Sequence, residues 1–188
     1  MEHFYDDIYG FSDADLFALY KNMVNRFSWG SHFVEVGAFL GKSAVYMAVE
    51  IINSGKNIKF DCIDHWQGSE EHNDNDNDKV NLERLYEDFL ENIKPVKGVI
   101  NPIRANSIDA SKLYKPNSLD FVFIDASHDE VSVKADLECW MPCLKEDGVI
   151  AGDDLDNEGV ATAVKWFFDN NEKLDIINRR QWMVDLGK

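Results

Sequence analysis

The chain has 188 residues, 45% of them hydrophobic, which suits one domain spanning residues 1–188 with a proper core. Its formal net charge of −16 argues against nucleic acid and anionic membranes as partners. No apolar run approaches a membrane span, the acidic N-terminus does not resemble a signal peptide, and three cysteines (Cys62, Cys139, Cys143) make no disulfide framework, so a cytoplasmic location is expected.

Residues 1–30 read as an N-terminal helical cap segment. Leu16, Leu19, Tyr20, Met23, Val24 and Phe27 form a helical stripe over residues 12–27, with Ser12 as the expected cap. Tyr5 and Tyr9 precede it, where the chain either folds over a ligand or packs at the surface. The short apolar run from Phe33 to Val36 then meets Gly37-Ala38-Phe39-Leu40-Gly41-Lys42-Ser43, and residues 43–53 are apolar almost all round. This is a strand, a glycine turn and the start of a buried helix. The turn's N–H groups and the helix dipole favour a polar or anionic ligand, and Gly37 and Gly41 allow it to approach the backbone. Three residues, not four, separate Gly37 from Gly41-Lys42-Ser43, so the phosphate-loop pattern is missed; Phe39 breaks the dinucleotide pattern.

Ile58 to Ile63 reads as the second strand, ending at Asp64. Residues 68–79 are polar, and Asp74-Asn75-Asp76-Asn77-Asp78 invites a calcium-loop reading. Lys79 stands where such a loop needs glycine and Leu85 where it needs glutamate, so a mobile surface loop near the site is expected. Leu82, Leu85, Tyr86, Phe89, Leu90 and Ile93 predict an amphipathic helix closed by Pro95 and Gly98. Val99 to Ile103 reads as a strand that Pro102 places at an edge, and Leu119 to Ile124 as a central parallel strand. A helix through Val133, Leu137, Trp140 and Met141 stops at Pro142. Cys139 and Cys143, one helical turn apart, suit buried packing better than a metal. Val149-Ile150-Ala151 is a further strand, and Val160, Val164, Phe167 and Phe168 mark the last helix. Residues 174–177 and 182–184 suggest a closing antiparallel pair. The alternation gives a three-layer α/β/α sandwich with a Rossmann-like, mostly parallel sheet.

In such a sheet the strand ends converge on one crevice. Asp64 is placed to accept ribose hydroxyls, with Trp66 beyond it for an adenine face and Asn106 and Ser107 for the adenine edge; each also has a plain structural reading. Asp125, Asp153 and Asp154 end neighbouring strands. Three facing carboxylates repel unless neutralised, and a divalent metal, Mg²⁺ first, would relieve them. Helix capping by the Asp153-Asp154 pair is the competing reading.

Glu35-x-Gly37-x-x-x-Gly41, Asp64, Phe123-Ile124-Asp125-Ala126-Ser127-His128 and Gly148-Val149-Ile150-Ala151-Gly152-Asp153-Asp154 together resemble a known family. It is that of the S-adenosyl-L-methionine (SAM)-dependent O-methyltransferases related to catechol O-methyltransferase and to bacterial enzymes that methylate sugar hydroxyls. The resemblance spans roughly Phe33 to Phe168. It implies SAM as cofactor, with contacts from Glu35, Gly37, Asp64 and Ser107, and it places Ala38, Gly41, Ser43, His65, Trp66, Asn106 and Asp125 around the same ligand. It implies a metal on Asp125, Asp153 and Asp154. His128 falls where catechol-type relatives carry a catalytic lysine, and Asp154 where they often carry asparagine. The expected partner is a small-molecule hydroxyl acceptor such as a vicinal diol, sugar or catechol, with a homodimer as a candidate assembly. The rival readings are methylation without metal and a SAM-binding protein without turnover.

Overall fold

The computed structural model describes residues 1–68, 80–169 and 173–188. The acidic stretch Asp74–Asp78 and most of the 68–79 loop lie outside the described residues.

Helix α1 (Ala14–Arg26) carries the expected stripe, but its cap is Asp13 rather than Ser12. The Asp13 carboxylate accepts from the N–H groups of Asp15 and Leu16 at 3.0 and 2.9 Å. A carboxylate at this position also meets the positive end of the helix dipole, which a hydroxyl does less well. Strand β1 (His32–Val36) leads to α2 (Lys42–Ser54), whose residues 43–49 are all buried. Then come β2 (Lys59–Asp64), α3 (Leu85–Asn92), β3 (Ile100–Arg104), the five-residue α4 (Ser107–Ser111) and β4 (Leu119–Ile124). The chain closes with α5 (Glu130–Trp140), β5 (Leu144–Gly152), α6 (Glu158–Phe167), β6 (Leu174–Ile176) and β7 (Trp182–Asp185). No helix among the described residues is long and apolar enough to cross a membrane.

The seven strands run in the order β3-β2-β1-β4-β5-β7-β6. β1 to β5 are parallel, and β7 pairs antiparallel with both β5 and β6. Pro102 does sit in an edge strand, where its missing N–H breaks no ladder. Side chains alternate across the sheet. Phe33, Phe60, Phe121 and Val149 pack with Leu16, Tyr20, Met47 and Phe89 of α1, α2 and α3. Val34, Val122, Ile124 and Ile150 pack with Leu137, Trp140, Val160 and Val164 of α5 and α6. The strand order reverses between β1 and β4, so the helices leaving these two strands depart to opposite faces and open a crevice at their carboxyl ends.

Candidate functional site

A crevice of about 930 Å³ opens at those carboxyl ends. The turn after β1 forms its floor. Gly37 has φ +94°, and a Cβ there would lie 1.8 Å from the Asp125 carbonyl oxygen. Only glycine lets the β1 and β4 ends come so close. The Asp125 N–H donates to the Val36 carbonyl at 2.8 Å, which locks the two ends together.

At one end Asp64 holds the turns rather than waiting free. Its Oδ2 accepts from Phe39 N at 2.9 Å and its Oδ1 from Trp66 N at 2.7 Å. Each oxygen keeps a second lone pair for a ligand hydroxyl. His65 borders the crevice and its Nδ1 accepts from Gln67 N at 2.9 Å. Trp66 departs from the expectation of an adenine-stacking face. Its ring is 2% exposed, lies 4.8 and 4.7 Å from the rings of Tyr86 and Phe89, and donates through Nε1 to the Phe39 carbonyl. Burial of the indole with a partner for its N–H makes it a core residue.

Glu35, unlike Trp66, does not border the crevice. It is fully buried under the glycine turn, where its carboxylate accepts from the Ser43 hydroxyl, while Oε2 has no partner. Burial pushes its pKa up to about 8, opposed by the Ser43 and Tyr20 hydroxyls, Tyr20 standing near without completing a hydrogen bond. Ser43, Ala38 and Gly41 do border the cavity. Asn106 lines it as well, but it caps α4: Oδ1 accepts from Asp109 N at 2.9 Å. Ser107 Oγ is occupied by the Trp140 indole N–H at 2.8 Å. The two residues expected to meet an adenine edge are therefore engaged inside the protein.

At the other end the acids do not form the expected triad. Asp125, His128 and Asp154 each bring a ligand atom within 4.8 Å of the others. Asp153 borders the same cavity but is not one of the three: its Oδ1 accepts from the Asp154 N–H at 2.8 Å and from Gln181 Nε2 at 2.7 Å. Asp154 is held by His128 Nε2 at 2.8 Å on Oδ2 and by the Arg180 guanidinium on Oδ1. Although burial pushes the Asp154 carboxyl up, His128 and then Arg180 bring it below the usual range. Burial, then the charges of Asp153, Asp154 and Glu35, hold the Asp125 carboxyl well above that range, and His128 opposes them only weakly. Gly159 explains how His128 is placed. A Cβ at that position would lie 2.3 Å from the His128 carbonyl oxygen, so α6 begins directly against the turn that carries the imidazole.

Sequence reasoning missed Arg180 and Gln181, which lie between β6 and β7 and carry no motif. It also missed Asp136 on α5, which borders the cavity although only 4% exposed. An acid three residues past Val133 and four before Trp140 stands on the apolar face of its helix, and that position was the available signal. At the mouth, Tyr9 packs edge-on against Phe11 and Phe39, and Phe11 lines the cavity; Tyr5 instead packs against Phe17 and Tyr46.

Known proteins share this architecture. The O-methyltransferase NovP superposes with a TM-score of 0.69 at 15% identity, over 91% of this chain and 79% of that one. CalS11, a TDP-rhamnose 3'-O-methyltransferase of calicheamicin biosynthesis, gives 0.63 at 14%, over 92% and 77%. Fibrillarin from Aeropyrum pernix, with natively bound SAM, gives 0.57 at 13%, over 90% and 75%. At such identities the likeness establishes the fold. No curated protein matches the sequence. The sequence model of a family described as a methyltransferase domain matches residues 34–155, which takes in the glycine turn, Asp64, His128 and the two acids that follow β5. Sequence and fold thus agree, and the chain belongs to this methyltransferase-domain family.

Proposed function

We propose that the protein transfers the methyl group of SAM to a hydroxyl of a small-molecule acceptor. The observation that carries this reading is one continuous cavity joining Asp64 and the glycine turn to the Asp125, His128 and Asp154 cluster. A cofactor laid along the turn has its nucleoside at Asp64 and its sulfonium toward the acids, whose negative potential favours a cation. The acceptor oxygen forms a bond to the methyl carbon as the sulfur–methyl bond breaks, leaving S-adenosylhomocysteine and a methyl ether. His128 takes the hydroxyl proton, and Asp154, hydrogen-bonded to Nε2, stabilises the imidazolium that results. Holding methyl and oxygen in line supplies much of the remaining rate. The sugar hydroxyl methylated by CalS11 supports a polyol acceptor.

A second reading is favoured by the geometry of the same three side chains. One imidazole nitrogen and two carboxylate oxygens fit a divalent cation, and this mixed set suits Mn²⁺ better than the oxygen-seeking Mg²⁺. Bound there, the ion would polarise an acceptor oxygen. His128 cannot be ligand and base at once, and Arg180 competes for Asp154. A chelator separates the two readings. Sugars, vicinal diols and catechols are offered with labelled SAM in EDTA, then with added Mn²⁺ or Mg²⁺. Turnover in EDTA supports His128 as the base, and turnover only after metal supports the ion. Failure of SAM to bind overturns both.

A further inference from the structure

On the side of the crevice formed by α4 and α5, several apolar side chains line the wall. Ile108 on α4 and Val131 on α5 are 46% and 77% exposed, and Ala105 and Ala135 lie beside them. Exposed aliphatic side chains on facing helices leave a slot suited to a flat, uncharged ring. One acid lies at its base. Asp136 is almost wholly buried yet borders the cavity. Its neighbour Ser107 accepts the Trp140 N–H, which directs the Ser107 hydroxyl hydrogen elsewhere. That hydroxyl and the Asp129 charge are the further influences on Asp136, and no described lysine or arginine pairs with it. A buried acceptor between apolar walls selects a ring with an N–H donor on its edge.

We propose that Asp136 accepts a hydrogen bond from the exocyclic amine of the adenine ring of the bound cofactor, the ring lying between Ile108 and Val131. This assigns the base-reading role to α5 rather than to Asn106 and Ser107, and it rests on the SAM reading above.

The test compares S-adenosylhomocysteine with S-inosylhomocysteine, in which a carbonyl replaces the amine, by calorimetry. The wild-type protein is expected to prefer the adenine compound by about 10- to 100-fold, since a charge-assisted hydrogen bond is lost and two acceptors are opposed. Asp136→Asn keeps the shape of the side chain and supplies an N–H donor, so it is expected to bind the inosine compound better than the wild type and to flatten the preference. A merely structural Asp136, serving only to hold Ser107 and Trp140, predicts no such gain. Equal wild-type affinities, or an Asp136→Asn variant with the wild-type ratio, overturn the proposal and leave the SAM reading standing. If the wild type binds neither compound, the SAM reading fails and the proposal with it.

Discussion

Glu35 is a carboxyl sealed in the core without a cation, and its replacement by glutamine should stabilise the protein. In the folded state its pKa lies at about 8, against an ordinary value of 4.5. The folded protein therefore holds a proton that the unfolded chain releases above about pH 4.5. Stability from this group is fully present below that pH and is lost as pH rises toward 8. At about 1.4 kcal/mol per unit, the loss at pH 7 is on the order of 3 kcal/mol. Glutamine does not titrate, can still accept from the Ser43 hydroxyl, and can offer an N–H to the unpartnered Tyr20 oxygen. Urea unfolding of wild type and Glu35→Gln between pH 5 and 8 should show the variant gaining on the wild type with each unit. A stability difference that is flat across this range would refute the reasoning. So would a variant that is weaker at pH 8 than at pH 5, relative to the wild type.

His128→Ala should lower kcat by roughly 10²–10⁴-fold while S-adenosylhomocysteine affinity, read by calorimetry, stays within a few-fold. Arg180→Met removes the guanidinium that holds Asp154 Oδ1, so Mn²⁺ should bind the variant at least about tenfold more tightly than the wild type. Unchanged Mn²⁺ affinity in a titration would remove Arg180 from competition for the cluster. Gly37→Ala must place a methyl against the Asp125 carbonyl at a left-handed φ, and it should cost more than about 2 kcal/mol in urea unfolding or abolish soluble expression.

What could be read beforehand followed the density of apolar signal. Leu119–Ile124 is buried along its whole length, and the strand matches the apolar run residue for residue. β5 was legible only at Val149-Ile150-Ala151, yet it begins at Leu144. Lys145, Glu146 and Asp147 look like a turn, but a parallel strand's first residues project past the packed layers, and the ladder to β4 shifts register there. α4 has five residues, too few for a period to show. The carboxylates of the crevice were visible because each ends an apolar strand. Their partners were not. Arg180 and Gln181 reach the cluster across the sheet, Gln181 bonding Asp153 and also, at 3.3 Å, Asp13 at the start of α1. Such pairings depend on how a hairpin folds back, which local sequence does not encode.

Phe39, Trp66 and Asp154 share an uncommon property: all three have positive φ (45°, 50° and 58°) and all three border the crevice. Left-handed backbone costs a non-glycine residue about 1–2 kcal/mol, so it persists only where neighbours enforce it. For Phe39 and Trp66 the enforcer is the same group, because their N–H donors share the Asp64 carboxylate. Asp64 is thus a clasp between two loops before it is a contact for any ligand. Removing it would set both loops free at once, and the ligand would then have to order them as it docks. An affinity lost in Asp64→Ala would sum two causes, vanished hydroxyl contacts and restored loop freedom, and calorimetry would show the second as a less favourable binding entropy. Redesign of ligand preference in this crevice should therefore keep Asp64 and recode the side chains that the clasp holds in place.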